Sequence, residues 1–169
     1  EHNKLLEQLL KEIENRSDPP KRGVRLLITG SMMDITDLLN IIETIGGIAV
    51  TDDLCTGTRY FWNLIPTDKD PLEAISKRYL NKIPSPSRYH HQERFSHIKN
   101  MIKQYNVEAV INFLLKFCDT HMFDAPLLTE ELKNQGIPVL NLEWEHTRSG
   151  IAPIKTRIEA FIETIKGVP

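Results

Sequence analysis

Cysteine is scarce in this chain of 169 residues: only Cys55 and Cys118 occur, and they stand in unlike surroundings. Two thiols so placed make no disulfide framework, which fits a reducing, cytoplasmic setting. Their spacing fits no zinc module either, since zinc would need more sulfur or histidine ligands. Charge of one sign is also lacking, and a formal net charge of -2 leaves no footprint for nucleic acid. No apolar run is long enough to span a bilayer and no signal-peptide pattern opens the chain, so a membrane partner is not expected. Internal repeats and low-complexity tracts are absent too. The first residue is Glu1 rather than Met, already inside a helical pattern, and the expectation is the carboxyl part of something longer, with half a site.

What remains is ordinary for a globular protein. With 40% hydrophobic and 26% charged residues, the chain is long enough for one domain with a proper core. Residues 1–16 place Leu5, Leu6, Leu9, Leu10 and Ile13 on one helical stripe, and Asp18-Pro19-Pro20 ends it. Residues 1–20 are therefore expected to be an amphipathic helix and Pro-rich linker, either packed on the domain or connecting to a partner. Residues 24–29 (VRLLIT) read as a strand followed by Gly30-Ser31. Residues 36–45 read as a helix stopped by Gly46-Gly47, and 48–50 as a second strand. Residues 51–60 then form a polar loop carrying Cys55, Gly57 and Arg59. Asp70-Pro71 caps and opens a helix to about Lys82, a Pro-Ser loop follows, and residues 90–105 are amphipathic helix with Phe95, Ile98, Ile102 and Tyr105 on one side.

The centre of the chain is one βαβ unit. An apolar run at 107–115 stops at Phe117-Cys118-Asp119-Thr120-His121, an amphipathic helix follows, and a second apolar run occupies 137–142. A last helix at 154–166 turns Ile158, Phe161, Ile162 and Ile165 inward. Strands alternating with helices predict a parallel four-stranded sheet covered on both faces. The flavodoxin-like (Rossmann-like) order 2-1-3-4 is the simplest winding, and it makes residues 21–169 one α/β domain. Ligands of such sheets sit at the carboxyl ends of the strands, where the winding reverses. Here that opposes Gly30-Ser31 to Cys118-Asp119, flanked by the Cys55 loop.

Each site residue has two readings. A cysteine near a strand end is often inert core. Around Cys118, however, Asp119, Thr120 and His121 mark a loop, and the next helix turns its amides toward a thiolate, the form that ligates iron. Cys55 either fills a bend or faces the same edge. Arg59 either pairs with Asp52 or Asp53, or binds an anionic ligand such as a CoA phosphate. His90 and His91 open a helix and read as solvent-facing, while Trp62 and Trp144 read as core. Thr29-Gly30-Ser31 is a weak phosphate-loop signal, and it keeps open an alternative: an electron-transfer module binding FMN, or an interaction module without catalysis.

The stretch KFCDTHMFDAPLLTEELKNQGIPVLNLEWE at 116–145, the later TRIEAF at 156–161, and the earlier DDLCTGTRYF at 52–61 and DPLEAISKRYL at 70–80 resemble the 2-hydroxyacyl-CoA dehydratase/benzoyl-CoA reductase family, in its carboxyl-terminal domain. The resemblance covers nearly everything after Lys21. It implies a subunit whose 4Fe-4S cluster is held by three cysteines, two of them from an amino-terminal domain, with Cys118 as the one that the carboxyl domain supplies. Cys55 matches a further cysteine common in the family and is a second candidate ligand. The implied partners are an acyl-CoA substrate, an amino-terminal domain missing here, a related second subunit and an ATP-hydrolysing iron–sulfur activator. The implied chemistry donates one low-potential electron to a thioester carbonyl, giving a ketyl radical that expels a 2-hydroxyl, or reduces an aromatic ring such as benzoyl-CoA. Ser85 and Ala152-Pro153 depart from residues common in the family. The expectation is that this chain alone holds no intact cluster.

Overall fold

The computed structural model describes residues 1–17, 22–33, 36–88, 91–145 and 151–167. The Pro-rich linker at 18–20 and His90 lie outside the described residues. Helix α1 (His2–Glu14) is followed by strand β1 (Val24–Gly30), helix α2 (Thr36–Thr44) and strand β2 (Gly47–Leu54). Helices α3 (Thr58–Phe61), α4 (Pro71–Leu80) and α5 (His91–Gln104) lead to strand β3 (Ala109–Leu115). Helix α6 (Asp119–Lys133), strand β4 (Val139–Trp144) and helix α7 (Ile151–Lys166) complete the order.

The four strands form a sheet in the order β2-β1-β3-β4, and every pairing is parallel. This is the flavodoxin-like arrangement. Alternation along the strands feeds two cores. Val24, Leu26 and Ile28 of β1, with Ala109, Ile111 and Phe113 of β3, meet α2 and α7 through Leu38, Ile42, Ile154, Ile158 and Ile162. On the other face Leu27 and Val110 meet α5 and α6 through Phe95, Ile98, Met101, Leu128 and Leu132. A parallel sheet buried on both sides needs such nearly continuous apolar strands. Asp70 caps α4 by accepting from the Glu73 amide at 3.0 Å, as the Asp-Pro pair implies.

The elements depart from the sequence expectations mainly around residues 51–60. Strand β2 continues through Thr51-Asp52-Asp53-Leu54, where a polar loop was expected, and a one-turn helix follows. Aspartate is a poor strand former, but tertiary pairing with β1 overrides that preference: Ile28 stands opposite Asp52 and Thr29 opposite Asp53. The register slips between Leu26 and Leu27, so that Val50 is the extra residue of a β-bulge. A slip of one residue exchanges the two faces of a strand. The bulge is therefore what turns Asp53, rather than Asp52, to the α5/α6 side.

Candidate functional site

The carboxyl end of β2 runs into a turn built by Asp52. Its Oδ1 accepts from the amides of Leu54 at 3.1 Å and Thr58 at 2.9 Å, and its carbonyl accepts from the Thr58 hydroxyl. Gly57 has no room for a side chain, since a Cβ there would meet Asp52 Oδ1 at 1.8 Å. Cys55, half-buried and a free thiol, sits in this turn. A hollow of about 470 Å³ is bounded by Ile28, Met33, Asp52, Leu54 and Thr56 among others, and neither cysteine lines it.

Behind the turn lies a buried ion network. Asp53 is fully buried and receives Arg59 in two-pronged fashion, Nε to Oδ1 at 3.0 Å and Nη2 to Oδ2 at 2.7 Å. The Thr29 hydroxyl donates to the same Oδ2 at 3.1 Å. Arg94 of α5 brings Nη1 to 4.0 Å from Asp53 Oδ2, and its Nη2 bonds Asp124 of α6. Both arginines are almost wholly enclosed, each at 2% exposure or less. His97 stands beside them with Nε2 4.0 Å from Asp53 Oδ1 and its ring edge-on to Trp62. His121 of α6 is buried too, and burial, then the Arg59 and Arg94 charges, push its imidazole down to about 4. Burial likewise lowers His97, with the Arg59 charge adding to it against the pull of Asp53, so both rings are held toward the neutral form.

Arg59 has a further contact. Its Nη1 donates to the Cys55 sulfur at 3.4 Å. The other thiol, Cys118, is the N-cap residue of α6, half-buried and free, with its sulfur 3.7 Å from the Thr120 hydroxyl. The preceding Phe117 takes a left-handed backbone at φ 68°, uncommon for a residue with a side chain, and this turns the chain from β3 into α6. Phe117 and Phe123 are both 82% exposed, so two apolar rings stand open on the segment that carries Cys118, with the exposed Lys116, Asp119 and Thr120 among them. Cys55 follows β2 and Cys118 follows β3, with β1 between them, at one edge of the sheet. Two strand spacings put their backbones roughly 10 Å apart across the sheet.

Comparison with known proteins decides the family. The family model described as "2-hydroxyglutaryl-CoA dehydratase, D-component" matches residues 1–165. This chain belongs to that family. It is 29% identical to the (R)-phenyllactyl-CoA dehydratase beta subunit of Clostridium sporogenes, over 98% of this chain and 44% of the relative. It is 24% identical to the beta subunit of the (R)-2-hydroxyglutaryl-CoA dehydratase of Acidaminococcus fermentans, over 98% of this chain and 45% of the relative. It is 23% identical to one of the subunits of the benzoyl-CoA reductase of Thauera aromatica, over 98% of this chain and 44% of the relative. The chain thus spans less than half the length of the curated relatives it matches.

Within this 2-hydroxyglutaryl-CoA dehydratase D-component fold, the expected site residues separate. Cys118 and Cys55 are brought to the same edge. Arg59 goes to Asp53, the pairing that the sequence offered beside an anion ligand. Residues 119–121, expected as loop, are the first turn of α6, and His121 points inward because the helix begins directly at Cys118. Thr29 and Ser31 are engaged internally: the Ser31 amide donates to the Phe113 carbonyl at 2.7 Å and its hydroxyl accepts from the Leu115 amide at 3.0 Å. Trp144 is core, against Phe113. Trp62 is half-buried against His97, and His91 is half-buried and tilts onto Phe95. Arg94, His97 and Asp124 were missed. Their signal was phase: Arg94 lies one turn before Ile98, and His97 one turn before Met101, on the face that α5 buries.

An iron–sulfur cluster takes cysteine thiolates, usually four. No group of three His, Cys, Asp or Glu side chains that could hold a metal occurs among the described residues. Two free thiols at one edge, one of them at a helix N-terminus, fit such a cluster as part of its ligand set and not as the whole.

Proposed function

We propose that this chain is the thiol-bearing α/β part of a subunit of a 2-hydroxyacyl-CoA dehydratase or an aromatic acyl-CoA reductase, in which Cys118 and Cys55 ligate an iron–sulfur cluster. The observation that carries this reading is the pair of free, half-buried thiols at the carboxyl ends of the two strands flanking β1, in a chain of this family. When bound, the cluster supplies single low-potential electrons to an acyl-CoA, which lets a poorly activated 2-hydroxyl leave or an aromatic ring be reduced. This chain's own residues do the holding. The Phe117 turn sets Cys118 at the start of α6, and Arg59, enclosed by Asp53, donates to the Cys55 sulfur. In this reading Arg59 serves Cys55, and no CoA phosphate is assigned to it. Phe117 and Phe123 provide apolar cover that excludes water once the assembly closes over the edge.

The remaining ligands, the CoA contacts and the choice of substrate come from outside this chain. A related second subunit and an ATP-dependent iron–sulfur activator are the partners this reading requires. The test is the absorption and the iron and sulfide content of the full-length protein purified without oxygen. Broad visible absorption with iron and sulfide in equal amounts is the expected result. Flavin bands without iron would overturn the proposal in favour of a flavodoxin-like electron carrier.

A further inference from the structure

The buried ions behind the thiols run from the Cys55 turn to α6, the helix that Cys118 caps. Arg59 touches the Cys55 sulfur at 3.4 Å and both carboxylate oxygens of Asp53. Asp53 faces Arg94 at 4.0 Å, and Arg94 bonds Asp124. Asp124 lies on α6, the helix whose N-cap is Cys118. Strand β2, helix α5 and helix α6 are thereby joined at the one end of the sheet where both sulfurs sit. We propose that Asp53, Arg94 and Asp124 are positioning residues: an ionic strut that fixes the Cys55 turn relative to the Cys118 helix, so that the two sulfurs keep one separation. The inference rests on the proposed sharing of one cluster by these thiols.

Stability does not account for the strut. Four buried charges in place of apolar side chains gain the fold little or nothing, because desolvation offsets their attraction. The two-pronged Arg59–Asp53 pair fixes the orientation of the carboxylate within the β2 turn, and Arg94, paired with Asp124 through Nη2 and 4.0 Å from Asp53, carries that charge contact across to α6. The apolar core on this face, Leu27, Phe95, Ile98, Leu128 and Leu132, already packs α5 and α6 onto the sheet. The ions therefore determine how those elements meet at the edge rather than whether they meet.

The chain's only two cysteines make the idea directly measurable. Nitroxide labels on Cys55 and Cys118 of the iron-free chain report their separation by pulsed dipolar EPR. The unaltered chain should give one narrow distance. The double variant Arg94→Met/Asp124→Leu removes a neutral pair, fills its volume and leaves Asp53 with Arg59. Its melting midpoint should stay within about 4 °C, while the distance distribution widens or splits. Should the double variant fail to fold, Asp124→Asn decides, since it keeps the side-chain shape and removes the charge that holds α6. A distribution as narrow in the folded variant as in the parent, or a broad one in the parent, would overturn the strut. Because the labels are read without iron, that outcome is separate from the iron content of the full-length protein, which tests the proposed function.

Discussion

A carboxylate that meets two arginines out of water, as Asp53 meets Arg59 and Arg94, adds little over apolar side chains of the same shape. Deleting its charge alone is another matter, because the buried Arg59 loses the carboxylate that it pairs with and Arg94 keeps only Asp124. Asp53→Asn should therefore cost about 3–5 kcal/mol in urea unfolding, among the largest effects of any single substitution here. A change under about 1 kcal/mol would mean that the two arginines reach water in the native state. The histidines of the same cluster predict a dependence on acid. His121 is held down to about 4 by burial and by Arg59 and Arg94, with Asp53 opposing, and His97 is shifted the same way. As pH falls below the ordinary histidine value of about 6.5, the unfolded chain takes up protons that the folded chain refuses. Stability should drop through the window from about 6.5 to about 4, by about 1–3 kcal/mol, and then cease to depend on this group. His121→Gln should flatten that slope in urea titrations, and an unchanged slope would remove His121 from the account.

At the scale of elements, the sheet depends on close approach between β1 and β3. Gly30 ends β1 at φ 121°, and a Cβ there would stand 2.0 Å from the Phe113 carbonyl oxygen. Gly30→Ala should thus cost at least about 3 kcal/mol, combining backbone strain with a clash that backbone cannot yield to, and should show as a lowered melting midpoint. A midpoint within a degree or two of the parent would mean that the edge is more compliant than drawn. The order of strands and helices was legible from apolar runs such as 24–29 and 107–115, because a parallel sheet buried on both faces leaves that signature. The end of β2 was not legible, since Thr51-Asp52-Asp53 is strand only by virtue of its pairing with β1 and of a bulge at Val50. Cys55, Cys118 and Arg59 were found because thiols and a guanidinium at strand ends carry chemical meaning. Arg94 and Asp124 were not, because charges in phase with a core stripe reveal a partner only when the facing helix is in place.

For the molecule as a whole, two cores and four parallel strands carry the packing, and the expected outcome is a fold that forms without metal, unlike small zinc modules whose folding energy is the metal. All of α1 is exposed, including Leu5, Leu9 and Ile13, so the helix adds nothing to either core. In the proposed function Cys118 is a cluster ligand and not a structural residue. Cys118→Ala measures this in two settings. In the chain alone the loss of a half-buried thiol at a helix start should shift unfolding by no more than about 0.5 kcal/mol. In the full-length protein, purified without oxygen, the same substitution should remove most of the bound iron and the turnover with it. A Cys118→Ala protein that kept both its iron and its turnover would make Cys118 a structural residue and remove it from the ligand set.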